Sequence, residues 1–137
     1  MALSTEDRLD ILELPGRYAE ALDTLAPEQL GEVFTDDAVW EVEGGRVRLV
    51  GLDEIKEFMG QDIHPGAHLM TNLFIAESGE DPASGERTAV LRSRGIYPVD
   101  PSDPKNPTGV FYGRYDDQVV RTDVGWRIRH RVYRYGT

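Results

Sequence analysis

The order of its elements predicts an α+β fold for this chain: helices first, then a hairpin, one more helix and a run of four strands. Three observations carry that prediction. Ile11, Leu14, Tyr18, Leu22 and Leu25 recur at helical spacing and make one apolar stripe. Ala38 to Glu43 alternates with strand period, and so does His68 to Phe74. Helices followed by strands place an antiparallel sheet against the helices. The 137 residues fit one domain with one core, taken as 1–137. No internal repeat, low-complexity tract or linker divides them.

Ser4 caps the first helix, and Glu6 and Asp7 suit the positive end of its dipole. Pro15-Gly16 interrupts the stripe. A mid-helix proline removes one backbone hydrogen bond and clashes with the preceding turn, so a kink or restart is expected there. The helix should end near Asp23-Thr24. Pro27 sits at an early, tolerated position of a second short helix, with Leu30, Val33 and Phe34 as its buried face. Thr35-Asp36-Asp37 stops it. Ala38, Trp40 and Val42 share one side of the next strand, and Glu41 and Glu43 take the solvent side. Gly44-Gly45 signals a tight hairpin, with Arg46 to Val50 as the returning strand.

Gly51-Leu52-Asp53 caps a third helix with Ile55, Phe58 and Met59 inside. The stretch from Gly66 to Ile75 reads as a strand with His68, Met70, Asn72 and Phe74 on one face. That face combines an imidazole, a carboxamide and two large apolar groups, which suits a pocket wall or, alternatively, a wet sheet edge. Glu77 to Glu86 is a turn region and Thr88 to Tyr97 a strand. Pro98 to Thr108 carries four prolines and reads as a surface loop, a candidate lid. Gly109 to Arg121 and Gly125 to Tyr135 are the last two strands. On the final strand His130 alternates with Trp126 and Ile128, so it is expected to point to the core. Arg127, Arg129, Arg131 and Arg134 are expected on its exposed face, paired with acids.

Composition excludes several classes. Hydrophobic residues make up 39% and charged residues 29%, as in a folded globular chain. No apolar run approaches the ~20 residues of a membrane helix. The N-terminus turns acidic at once, without the basic and apolar regions of a signal peptide, so a cytoplasmic location is expected. With no cysteine there is no disulfide, thiol nucleophile or thiolate metal site. A net charge of −10 and a pI near 4.7 work against nucleic acid and anionic membranes as partners. There is no glycine-rich phosphate loop, nucleophile elbow or nucleotide motif, and no cofactor is expected. His64 and His68 have the spacing of a helical metal pair, but Pro65-Gly66 breaks any helix between them, so no metal is expected either.

Several segments together carry a family resemblance. They are Arg17 to Asp23 (RYAEALD), Leu30 to Trp40 (LGEVFTDDAVW), Gly51 to Ile55 (GLDEI), His68 to Ile75, and Tyr115 to Arg131 (YDDQVVRTDVGWRIRHR). In this order and spacing the chain resembles the SnoaL-like branch of the NTF2-like superfamily. It is similar to scytalone dehydratase and, more distantly, to ketosteroid isomerase and limonene epoxide hydrolase. The resemblance implies a cone: a strongly curved, mostly antiparallel sheet wrapped round about three helices and enclosing an apolar cavity. It also implies a homodimer formed through the outer face of the sheet. Such cavities serve dehydration, isomerisation, epoxide hydrolysis, cyclisation or binding alone, so the fold does not fix the function. Asp23 matches an active-site aspartate of the dehydratase and His68 an active-site histidine. The dehydratase's second histidine has no counterpart here, Tyr112 being the nearest polar residue, and Leu22 stands where the dehydratase has a tyrosine.

Asp23 and His68 are therefore the candidate catalytic pair. A carboxylate bonded to an imidazole fixes its tautomer and strengthens it as a base. Tyr18, Trp40, Met70, Asn72, Phe74, Tyr97 and Tyr112 are the candidate substrate-binding residues. Tyr18 has two readings, as core packing or as a hydroxyl that polarises a substrate oxygen. Asp23 has two as well, as a turn carboxylate in water or as a pocket residue. Three functions follow: a cofactor-independent lyase or isomerase on a small apolar or polycyclic compound, a binding protein without turnover, and an interaction module.

Overall fold

The computed structural model describes residues 2–61, 67–99, 102, 104 and 109–136. Helix α1 spans Thr5–Asp23 and a 3₁₀ helix spans Pro27–Glu32. Strands β1 (Phe34–Val42) and β2 (Arg48–Val50) form the hairpin, and α2 spans Leu52–Met59. Then come β3 (Leu69–Glu80), β4 (Arg87–Pro98), β5 (Val110–Thr122) and β6 (Gly125–Tyr135). Among the described residues they make one curved six-stranded sheet in the order β2-β1-β6-β5-β4-β3. All its neighbours are antiparallel except β1 and β6, which run parallel. This is the expected α+β architecture, with the core between α1, α2 and the inner face of the sheet. No helix among the described residues is long and apolar enough to cross a membrane. His64, and most of the proline loop read as a lid, lie outside the described residues.

Pro15 does not stop α1, which continues through it without a restart. The cost of one lost hydrogen bond is met by burial on both sides of it: Ile11, Leu14, Tyr18, Ala21 and Leu22 all pack into the core. Leu25 leaves the stripe. The helix has already ended, and Leu25 takes a left-handed φ of 52° and is exposed. At the other end Ser4 and Asp7 form a capping box, with Asp7 N–H donating to the Ser4 hydroxyl at 3.0 Å. The Asp7 carboxylate also accepts from Trp126 Nε1 at 3.0 Å and Arg87 Nη2 at 2.7 Å. It thus ties the helix start to β6 and β4.

Those bonds, from Trp126 first and then from Arg87 and Ser4, hold the Asp7 carboxyl well below the usual carboxylate range. A depressed carboxylate contributes stability that is complete above its unfolded value of about 4 and is lost as pH falls towards its folded value. Urea unfolding of the wild type should therefore show stability dropping as the pH is taken below about 4. Asp7→Asn should be less stable near neutrality and flatter in acid, so that the two curves converge. Parallel curves would refute this role for Asp7.

Bulges decide which side chains face inward. In β3, Thr71 pairs with Arg94 but Phe74 with Arg92, so β3 carries an extra residue, with Asn72 at a left-handed φ of 54°. The period of two breaks there. His68 is buried and Met70 partly so, but beyond the bulge the inward positions pass to Leu73 and Ile75, and Asn72 and Phe74 are exposed. In β5–β6, Gln118 pairs with His130 but Val119 with Ile128, so Arg129 is the extra residue. The face that carries Trp126 and Ile128 therefore continues through Arg131 and Tyr133. His130 turns outward to Glu41, with Nε2 2.7 Å from Oε2, instead of entering the core.

Arg131, expected outside, is fully buried. The neighbouring arginines do meet acids on the outer face: Arg129 pairs with Glu86, and Arg134 with Asp116 and Glu43. Arg127 instead donates to the Gly31 carbonyl. Also on the outer face, Leu69, Ile96 and Tyr112 stand in one cross-strand row, 61%, 38% and 60% exposed.

Candidate active site

Asp23 is the last residue of α1, where the helix dipole disfavours a carboxylate. His68, just before β3, supplies the compensation. Its ring Nδ1 lies 2.6 Å from Asp23 Oδ1, and its backbone N–H donates to both carboxylate oxygens at 2.9 and 3.1 Å. The His68 side chain is 3% exposed and that of Asp23 17%. A carboxylate at Nδ1 selects the tautomer protonated there and directs Nε2 to be the nitrogen that exchanges protons with a bound compound.

The His68 ring stacks on Tyr97 with centroids 5.1 Å apart and meets Tyr18 edge-on at 6.5 Å. These three rings form part of the wall of a cavity of about 240 Å³. Leu22 and Met59 close one side, and Val42, Val47 and Val99 add aliphatic surface. The rest is aromatic, with Trp40, Phe58, Phe111, Tyr115, Tyr133 and Tyr135. Five of the chain's six tyrosines thus line one space. Glycines make room for two of them. A Cβ at Gly95 would stand 2.8 Å from the Tyr115 ring, and one at Gly113 would stand 2.6 Å from the Tyr133 hydroxyl.

Beneath these rings lies a buried ion pair. Arg131 donates to Asp117 through Nε and Nη2, each at 2.7 Å, and both side chains are fully inaccessible. The guanidinium carbon sits 4.3 Å from the Tyr18 ring centre and 4.2 Å from that of Tyr115. Burial pushes the Asp117 carboxyl up, against the pull of Arg131. Burial also works against the charge of Arg131, but Asp117 outweighs it and keeps the guanidinium protonated. Burial pushes the Tyr18 and Tyr115 phenols up too, with the charge of Arg131 opposing it. Both therefore stay neutral. The Tyr18 hydroxyl lies 3.8 Å from Met59 Sδ.

The structure thus brings Asp23, His68, Tyr18, Trp40 and Tyr97 together. Asp23 reaches the cavity through His68 rather than forming its wall. Met70 packs beside Gly95 against the core and is not among the lining residues. Three expectations are corrected. Asn72 and Phe74 are turned to solvent by the β3 bulge. Tyr112 is exposed because β5 directs Phe111, Gly113 and Tyr115 inward, leaving Tyr112 on the opposite face. Sequence reasoning missed Tyr115, Tyr133 and Tyr135. A signal for the last two was there in the alternation of Tyr133 and Tyr135, had the register of β6 been known.

Comparison with known proteins agrees with this architecture. The family model of the SnoaL-like domain matches residues 4–132. Rv2910c, an uncharacterized protein of Mycobacterium tuberculosis strain H37Rv, is 31% identical over 134 residues, covering 92% of this chain and 83% of that protein. The solved structure of a candidate aromatic ring hydroxylase from Novosphingobium aromaticivorans is 27% identical. It has a TM-score of 0.73 and covers 99% of this chain and 93% of that one. A candidate scytalone dehydratase of the same organism is 23% identical, with a TM-score of 0.67 over 94% of this chain and 83% of that one. At that identity the likeness is one of fold.

Proposed function

The chain belongs to the SnoaL-like domain family, and from that premise we propose that it is a cofactor-independent lyase or isomerase that moves protons on a small cyclic compound. The observation that carries this reading is the 2.6 Å contact between Asp23 and His68 at the wall of a largely apolar cavity. His68 Nε2 takes the proton from a carbon beside a carbonyl, and the C–H electrons become a carbon–carbon double bond. In an isomerase the carbonyl becomes an enolate, with the C=O electrons moved onto oxygen, and the proton returns from Nε2 to another carbon. In a lyase a β-hydroxyl departs and is protonated to water. Asp23 holds the imidazole in position and balances its charge while it carries the proton.

The cavity volume falls just below the range of about 300–1,000 Å³ typical of small-molecule sites. One or two fused rings suit it better than a larger polycycle. The relative named for an aromatic ring supports a cyclic ligand. A panel of cyclic ketones and β-hydroxy ketones, incubated with the protein in D₂O and followed by NMR, tests the reading. Deuterium entering beside the carbonyl, or loss of water, supports it when His68→Gln abolishes the signal. Exchange that persists in His68→Gln, or none with any panel member, removes it.

Binding without turnover is the second reading. It is favoured by the two bonds from the His68 backbone N–H to Asp23, which also make the pair a tie between α1 and β3. Substitutions that weaken ligand affinity while no turnover is found in the wild type would favour this alternative. We also propose a second copy of the chain as partner across the outer sheet face, where Leu69, Ile96 and Tyr112 are exposed in one row. A monomer in sedimentation velocity would remove that proposal.

A further inference from the structure

The register of the sheet lays one aromatic ring directly on His68. Leu69 of β3 pairs with Ile96 of β4, so one step further along the ladder His68 stands opposite Tyr97 on the inner face. The two rings are stacked, 27° from parallel, with centroids 5.1 Å apart. Among the described residues, the titratable groups that meet the imidazole come from two elements. Asp23, at Nδ1, and Tyr18, edge-on, belong to α1, and Tyr97 belongs to β4. Beyond Tyr18 lies the charge of Arg131 on β6, 4.3 Å from the Tyr18 ring centre. Tyr115, Tyr133 and Tyr135 on β5 and β6 line the same cavity, and α2 presents Phe58 and Met59 to it.

Asp23 and Tyr97 constrain the imidazole in different ways. A hydrogen bond at Nδ1 holds one corner and leaves the ring able to tilt about it. A second ring laid on its face removes that tilt, so Nε2 keeps one direction. Tyr97 is itself held. Its ring meets that of Phe111, its cross-strand partner, at 5.5 Å and that of Tyr133 at 6.2 Å. Burial, reinforced by the Tyr133 and Tyr135 phenols, pushes the Tyr97 phenol far up. His68 therefore meets the π face of a neutral ring, not a phenolate. Such a face attracts a cation within about 6 Å of its centre, and an imidazolium is a cation where an imidazole is not.

We propose that Tyr97 is a positioning residue that acts through His68: its ring face fixes the plane of the imidazole and stabilises the imidazolium formed when His68 has taken a proton. The inference rests on the reading of His68 as the base and deepens it. Asp23 balances the new charge from the edge of the ring, and Tyr97 does so from its face. The face under Tyr97 is closed to the ligand, so the reacting C–H approaches Nε2 in the plane of the ring.

Two variants separate the ring from its hydroxyl. Tyr97→Leu removes the π face and keeps apolar bulk, and Tyr97→Phe keeps the ring. Proton NMR titration reads the effect, with His68 assigned among the three histidines by its loss in His68→Gln. In Tyr97→Leu, His68 should hold its proton about threefold to tenfold less tightly than in the wild type, and in Tyr97→Phe within about twofold of it. The acid limb of the deuterium-exchange profile should move to lower pH in Tyr97→Leu by the same factor, and its plateau should fall, because a weaker base removes the proton more slowly. A purely structural role would lower the amount of folded protein without moving that limb. Unchanged or tighter proton binding in Tyr97→Leu, or an equal loss in Tyr97→Phe, overturns the proposal. If Tyr97→Leu does not fold, the wild type decides. The ring current of Tyr97 should carry a His68 ring proton upfield of its position in the urea-unfolded chain, and a signal that stays at the unfolded position overturns the stack. Ketone exchange in the wild type with no change of proton affinity in Tyr97→Leu would sink this proposal and leave the acid–base reading standing. A changed proton affinity with no exchange on any ketone would leave the Tyr97 contact standing and sink the acid–base reading.

Discussion

Asp117→Asn is expected to destabilise the protein by about 3–5 kcal/mol, the usual cost of removing one partner of a buried ion pair. Asp117 and Arg131 are both inaccessible and joined by two bonds of 2.7 Å. The substitution leaves a full positive charge in the interior with no counter-ion. Neutralising Arg131 instead would strand the carboxylate. For a chain of this length the melting temperature should fall by about 10–20 °C. Replacing both groups with apolar side chains, Asp117→Leu with Arg131→Met, should recover most of the loss, because the desolvation cost then vanishes with the attraction. A single variant within about 1 kcal/mol of wild type, or a double variant no better than the singles, would contradict the account. The pair also has a positional role. Arg131 lies against Tyr18 and Tyr115, so its loss removes the support beneath two rings of the cavity wall.

That pair also marks where the sequence stops being readable. The number and order of elements follow from periodicity, since a stripe at 3.6 residues and alternation at two leave little choice. The Gly44-Gly45 hairpin is equally plain, and both glycines take positive φ. Asp23 and His68 were legible through the family resemblance, which carried both positions; spacing alone left Asp23 open between a turn carboxylate and a pocket residue. Bulges have no comparable signature. The extra residue at Arg129 inverts the remainder of β6, so Arg131 goes in and His130 comes out. Nothing in Asp116-Asp117 tells which acid is the buried one until β5 is placed beside β6. The bulge at Asn72 does the same to β3, where four alternating residues were expected to share a face and only the part before Asn72 does so. Tyr115 and Tyr133 entered the site because Gly95 and Gly113 leave them space. That relation runs between strands and cannot be seen along the chain.

His68→Gln is expected to lower the rate of proton exchange on the best member of the ketone panel by about 10²–10⁴, the range for removing a positioned acid–base group. Glutamine keeps much of the ring's volume and a polar end but cannot carry a proton between substrate atoms. Asp23→Asn is expected to cost less than or as much as His68→Gln. Asparagine retains an oxygen for the His68 backbone N–H, but it no longer balances a charged imidazole or fixes its tautomer. The double variant is the decisive measurement. Two groups that act as one unit fail together, so the double should be no slower than His68→Gln alone. Multiplying losses would instead mean that Asp23 and His68 act independently, and the dyad would have to be given up. Thermal unfolding of the same variants keeps stability apart from chemistry, because Asp23 also ties α1 to the start of β3. A variant that folds like the wild type and still loses exchange has lost proton transfer. A variant whose melting temperature falls while exchange per folded molecule is unchanged has lost only the tie.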